Sequence, residues 1–79
     1  MHIKILGTGC AKCKNLEKKV QDIVAANNID AVITKVTDLQ EIMSFGIMST
    51  PGLVIDEKVV SSGSLPKEAQ ILEWINAAK

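Results

Sequence analysis

A stretch whose apolar residues recur at helical spacing lies between two β-prone runs, and this arrangement constrains the fold more than any other feature of the chain. Ile3-Lys4-Ile5-Leu6 is short and rich in β-formers, and Gly7-Thr8-Gly9 ends it in a loop with unusual backbone freedom. From Cys13 onward Leu16, Val20, Ile23 and Val24 fall on one helical face, with Lys14, Lys18, Lys19 and Gln21 between them, and Asn27-Asn28 mark the exit. Ala31 to Val36 reads as a second strand. A helix joining two strands makes a βαβ crossover, so the strands should be parallel and the helix should lay its apolar face on the sheet.

Downstream the topology changes. Asp38 can cap a short second helix over Leu39 to Phe45, with Leu39, Ile42 and Met43 on its inner face and Gly46 ending it. Leu53-Val54-Ile55 and Lys58-Val59-Val60 are too close together for anything but an antiparallel hairpin. The Asp56-Glu57 turn lacks the glycine that a tight primed turn favours, so a slightly longer loop is expected. Pro66 suits the first position of a last helix, whose apolar stripe is Leu65, Ile71, Leu72, Trp74, Ile75 and Ala78. The order βαβαββα is an α/β architecture: a four-stranded mixed sheet with helices on both faces, the first strand central and the hairpin on its antiparallel side. With 79 residues the chain can build one core, so residues 1–79 are expected to form a single domain.

Composition narrows the partners. Nine basic residues balance nine acidic ones, and one Trp and one Phe are the only aromatics, so neither the charge nor the stacking surface of a nucleic-acid binder is present. No apolar run approaches the roughly 18 residues that span a bilayer, and Met1-His2 leads straight into strand sequence, so a cytoplasmic protein with no membrane association is expected.

Cys10-Ala11-Lys12-Cys13 stands where the first loop meets the first helix. As a structural staple it would contribute little, because the chain-entropy model gives only roughly 2 kcal/mol for so short a loop, against about 3 for fifteen residues. The pair is better placed to react. A cysteine exchanges with a disulfide only as thiolate, so it needs an electropositive and reachable setting. Cys10 falls at the helix N-terminus, where unpaired backbone N–H groups and the macrodipole favour an anion, and Lys12 and Lys14 add positive charge. Cys13 lies within the first turn, at bonding distance from Cys10. Cys10, the outer residue, is therefore assigned as nucleophile, Cys13 as the resolving thiol, and Lys12, held between them, as the residue tuning thiol ionisation. No cofactor is required.

Thr50-Pro51 is the second signal, because a proline just ahead of the third strand belongs at the strand's start or in a special turn. Taken alone it reads as a trans loop proline, since cis bonds are about 5% of X-Pro bonds in folded proteins. The strand, Gly7-Thr8-Gly9-Cys10-Ala11-Lys12-Cys13, the βα organisation and Ser49-Thr50-Pro51-Gly52-Leu53-Val54-Ile55 together resemble the small glutaredoxin-like members of the thioredoxin superfamily, the redox-active disulfide proteins of archaea and bacteria. The resemblance covers essentially the whole chain. It implies a thioredoxin-like fold, a cis-proline at Pro51, and Thr50 as the residue whose backbone binds an extended segment of substrate. It further implies an activity: a protein disulfide oxidoreductase that reduces disulfide-containing proteins, acts as a monomer and is regenerated by a reductase. The likeness departs at two places. No Trp precedes Cys10 and no Gly-Pro separates the cysteines, and Ser61-Ser62-Gly63-Ser64 stands where glutathione-using glutaredoxins carry Gly-Gly followed by Asp, so glutathione is not implied as a partner.

Other readings are weaker. A Cu(I) carrier can also place Cys-x-x-Cys at a helix start, yet that fold runs βαββαβ and ends in a strand. A zinc site lacks ligands, since two cysteines and one histidine do not fill four positions. A redox sensor or interaction module would use the same pair without fast turnover. His2 lies about 13 Å along the strand from the cysteines and is expected to be an exposed strand-end residue. Glu17, one turn beyond Cys13 on the same face, is in position to relay its proton, but it reads, like Lys14, Lys18 and Lys19, as a solvated charge on a Lys-rich helix and is left outside the site. Met43 and Met48 are expected to pack in the core or at the rim of the site, Trp74 to anchor the last helix, and Gly63 either to form a turn or to admit substrate backbone.

Overall fold

The computed structural model describes residues 1–78. They form β1 (His2–Leu6), α1 (Ala11–Ala26), β2 (Val32–Val36), α2 (Leu39–Ser44), β3 (Gly52–Ile55), β4 (Lys58–Ser62) and α3 (Glu68–Ala78). The sheet runs β2-β1-β3-β4. β1 pairs in parallel with β2, from His2 opposite Val32 to Leu6 opposite Val36, as the crossover requires. On its other side β1 pairs antiparallel with β3, from Ile3 opposite Ile55 to Leu6 opposite Gly52.

Alternation along the strands divides the core into two layers. Ile3 and Ile5 of β1 and Leu53 and Ile55 of β3 point to one face, where Leu16, Val20 and Ile23 of α1 and Ile71 and Ile75 of α3 cover them. Leu6, Val36 and Val54 point to the other face and meet Ile42 of α2 together with Ile47 and Phe45. Lys4 shares this second face. Its Nζ sits 5.2 Å from the centre of the Phe45 ring and 2.8 Å from Glu57 Oε1, so the aromatic ring and the carboxylate close the edge of the layer. Trp74 packs against the first layer from α3.

This arrangement corrects several expectations. Asp38 does cap α2, its carboxylate accepting from the Gln40 N–H at 3.0 Å, but only Ile42 faces inward. Leu39 is 60% exposed and Met43 63%, because the short helix touches the sheet along one narrow line and Ile47 and Phe45, beyond its end, fill the rest. Met48 is fully exposed, which leaves the rim, the second of the two places expected for it, and excludes the core.

The hairpin turn is tight and not lengthened: Ile55 pairs with Lys58 across Asp56 and Glu57, both at positive φ. Non-glycine residues rarely adopt that conformation, and here β1 holds it in place. The Asp56 N–H donates to the His2 carbonyl and the Asp56 carboxylate accepts from the His2 N–H, each at 2.8 Å, while Glu57 pairs with Lys4. β4 also runs further than its β-prone residues suggest, with Ser61 and Ser62 paired to Leu53 and Gly52 after an irregularity in the register. α3 begins at Glu68, two residues after Pro66. The Lys67 carbonyl accepts from Ile71 N–H and the Gln70 side chain accepts from Lys67 N–H at 3.2 Å, which is half of a capping box.

The two faces predict different sensitivities. Leu16→Ala, in the closed layer under α1, should lower unfolding free energy by about 2–5 kcal/mol. Leu39→Ala should change it by no more than about 0.5 kcal/mol, since the side chain is mostly in water. Urea denaturation of both variants checks the pair.

Candidate active site

The site is built where β1 ends and α1 begins. Cys10 is the N-cap of α1, in extended conformation, and its carbonyl accepts from Lys14 N–H at 3.0 Å, so the helix starts on it. The Cys13 N–H donates to Cys10 Sγ at 3.1 Å, which gives one of the orphan donors of the first turn to the sulfur. Cys10 and Cys13 are joined as a disulfide, with Cα atoms 5.0 Å apart. No acidic residue lies in the first turn of α1, so the local field at Cys10 is that of bare N–H groups and lysines. Lys12 and Lys14 are both exposed beside it.

The two sulfurs sit in different surroundings. Cys10 is exposed, while Cys13 is only 5% exposed. What buries Cys13 is Gly7, the residue after β1. Gly7 extends the sheet, its N–H donating to the Val36 carbonyl at 2.9 Å, and a Cβ on it would collide with Cys13 Sγ and stand 2.9 Å from Cys13 Cβ. The absence of a side chain at position 7 therefore lets the first turn of α1 settle onto the strand end. Sequence reasoning read Gly7 only as a loop residue. Its position next in line after Ile3 and Ile5 on the α1 face of the strand is the signal that was available.

The Thr50–Pro51 peptide bond is cis. Continuing the β1–β3 register by one step sets Pro51 across from Gly7, so the proline and the buried cysteine share the strand end. Pro51 is buried and Thr50 half-buried. Gly63 holds the segment from the other side: its N–H donates to the Pro51 carbonyl at 2.9 Å. It does so at φ 76°, with Ser49 so close that a Cβ would stand 2.9 Å from Ser49 Cβ. Beside Thr50 a shallow groove is lined by Leu39, Ile42, Met43, Ile47 and Met48, which puts both methionines at a rim.

A second cavity, of about 80 Å³, opens on the inner side of the disulfide and is lined by Ile5, Gly7, Gly9, Cys13, Lys14, Glu17, Lys35 and Thr37. Glu17 is not the solvated charge expected. Its side chain is 20% exposed, Oε2 lies 3.1 Å from Lys35 Nζ, and Oε1 accepts from Gln21 Nε2 at 3.3 Å. Lys19 is likewise half-buried, its ammonium 3.4 Å from the Pro66 carbonyl that leads into α3. His2 is exposed at the start of β1, with Nε2 2.9 Å from Thr34 Oγ1. Among the described residues no group of three or more His, Cys, Asp or Glu side chains is placed to hold a metal ion, and no helix is long and apolar enough to cross a membrane.

Comparison with known proteins gives a consistent result. A profile described as the thioredoxin domain matches residues 1–76. A thioredoxin of Methanocaldococcus jannaschii is 41% identical over 75 residues, covering 95% of this chain and 86% of that one. A thioredoxin of Methanothermobacter thermautotrophicus is 35% identical over 71 residues, covering 90% of this chain and 92% of that one. In three dimensions the fold superposes on the crystal structure of the germline-specific thioredoxin Deadhead of Drosophila melanogaster with a TM-score of 0.66, at 17% identity, over 99% of this chain and 80% of that one.

The close approach at Gly7 can be tested directly. Gly7→Ala should destabilise the fold by about 1–3 kcal/mol, as overpacking does, because strand and helix must part. It should also raise the alkylation rate of Cys13 in the reduced protein more than that of Cys10. Thermal unfolding and mass-spectrometric alkylation kinetics read the two effects.

Proposed function

The chain belongs to the thioredoxin family, and from that premise we propose that its Cys10–Cys13 pair carries a protein thiol–disulfide oxidoreductase activity in which Cys10 attacks and Cys13 resolves. The observation that supports this division most directly is the contrast in exposure: the sulfur of Cys10 is open to an incoming disulfide, and that of Cys13 is enclosed. In the reduced protein the N-terminal N–H groups of α1, with Lys12 close by, favour the negative charge of a thiolate at Cys10. That thiolate attacks one sulfur of a substrate disulfide and the other leaves. Cys13 then attacks Cys10 Sγ, expels the substrate as a thiol and leaves the protein as the disulfide. A reductase returns two electrons to start the next cycle.

Thr50 and Pro51 form the platform for the substrate chain in this reading. The strand end at Pro51 is tied by Gly63 and adjoins the Leu39–Met48 groove, so an extended peptide lying along it would meet backbone at Thr50 and apolar side chains beyond. Residues 1–79 act as one domain and as a monomer in the cytoplasm, with protein disulfides and not glutathione as substrates. The chemistry needs nothing beyond the dithiol.

Single-cysteine variants provide the test. Reduced Cys13→Ser should release one equivalent of thiolate from a coloured aryl disulfide and remain as a mixed disulfide, whereas Cys10→Ser should react at least about tenfold more slowly, since its remaining thiol is buried. Mass spectrometry and thiolate absorbance follow both reactions. Equal rates for the two variants would reverse or abolish the assignment.

A further inference from the structure

The lysines of α1 stand where helix stability would not put them. Lys12 and Lys14 lie in its first turn, which carries no acidic residue, and cations there oppose the helix macrodipole. Lys14 and Lys18, four residues apart and both exposed, share one outward ridge on which like charges repel. Asp22 follows Lys18 by one turn but does not pair with it. The ion pairs among the described residues are Lys4–Glu57 and Lys35–Glu17, so Lys12, Lys14 and Lys18 have no described carboxylate in reach.

Thiol ionisation does not account for all three. Lys18 follows Cys10 by eight residues, about 12 Å along the helix axis at 1.5 Å each. Charges in physiological salt act over roughly 8 Å, so Lys18 does little for a thiolate at Cys10. The acidic groups, meanwhile, lie elsewhere. Asp30, Asp56 and Glu57 sit at the end of the sheet where β1 begins, opposite the dithiol. Asp38 and Glu41 belong to α2, on the other face of the sheet, and Glu17 is held by Lys35. The chain as a whole has no net charge, so only this local distribution can select a partner by sign.

We infer that the Lys14–Lys18 ridge is a docking surface for acidic segments, so that the disulfide proteins this chain reduces carry Asp or Glu close to the cysteine under attack. The inference rests on Cys10 being the attacking thiol. Charge complementarity names the occupant. An extended chain bonded to Cys10 covers the distance to Lys18 in about four residues at 3.3 Å each, and it passes Lys14 on the way. Acidic side chains on that stretch meet two exposed ammonium groups for which no described carboxylate is in reach. The same charges speed encounter before any bond has formed.

Peptides carrying one cysteine as a pyridyl mixed disulfide read the docking step. Cys10 bonds to the peptide sulfur, and the electron pair of the broken bond leaves with thiopyridone, whose absorbance gives the rate. Three peptides differ only in the four residues beside the cysteine, which are Asp, Asn or Lys. At about 10 mM salt the reduced protein should react with the Asp peptide about tenfold faster than with the Asn peptide, and the Lys peptide should be slowest. The gap should close near 0.5 M salt. Lys18→Glu should remove the preference for Asp at low salt, because it both reverses one charge and offers Lys14 a partner at i, i+4. Its reaction with small, neutral dipyridyl disulfide should be unchanged. Lys58→Glu, exposed at the hairpin end of β4, makes the same change in net charge and should keep the preference. Equal low-salt rates for the three peptides, a preference that survives Lys18→Glu, or an equal loss in Lys58→Glu would overturn the docking role. So would tighter retention of the reduced protein on duplex DNA than on the Asp peptide, which would give the ridge to a different polyanion. None of these outcomes touches the reaction with dipyridyl disulfide, so the Cys10 assignment stands or falls separately, with the single-cysteine variants.

Discussion

The contact between Cys13 and Gly7 is the constraint on which the site depends. A helix that follows a strand by a short loop normally stands off the sheet by the width of the side chains between them. Here the strand continues into a residue with no side chain, and the first turn of α1 comes down until sulfur lies against backbone. Every other property of the pair follows from that approach. It buries one cysteine, leaves the other at the helix tip in water, and directs the Cys13 N–H at the outer sulfur.

The sheet then distributes its work between two faces. The α1 and α3 side carries the larger apolar layer and, at its upper end, the dithiol, the inner cavity and the Glu17–Lys35 pair. The opposite side is covered by a helix of six residues, too short to shield its own apolar residues, and is completed by Ile47, Phe45 and the Lys4–Glu57 pair. The economy of that second layer is what leaves Leu39, Met43 and Met48 in the open beside Thr50.

Much of this architecture is legible in the sequence. Helical spacing from Leu16 to Val24, flanked by β-rich runs, determined the parallel crossover, and two β-runs separated by a short polar link determined the hairpin. The cysteines' place at the strand-to-helix junction, with Thr50-Pro51 ahead of the third strand, sufficed to find the family and the reaction. The misreadings share a cause. Leu39 and Met43 are apolar and correctly spaced for burial, but whether a helix face is covered depends on what lies opposite. Asp56 and Glu57 are poor residues for positive φ, but hydrogen bonds to His2 and an ion pair with Lys4, all distant in sequence, hold them there.

By itself, then, the sequence determined the order of elements, the strand pairing and the identity of the reactive pair, because these follow from local periodicity, turn chemistry and the short reach between residues 10 and 13. The tertiary structure decided which cysteine is enclosed, how Gly7 admits it, and that Glu17 lines the same cavity as Cys13 and pairs with Lys35. Those outcomes depend on where a parallel neighbour places its side chains across the sheet, and no window of consecutive residues contains that information. Burial is a property of the opposing surface, and only the folded chain supplies one.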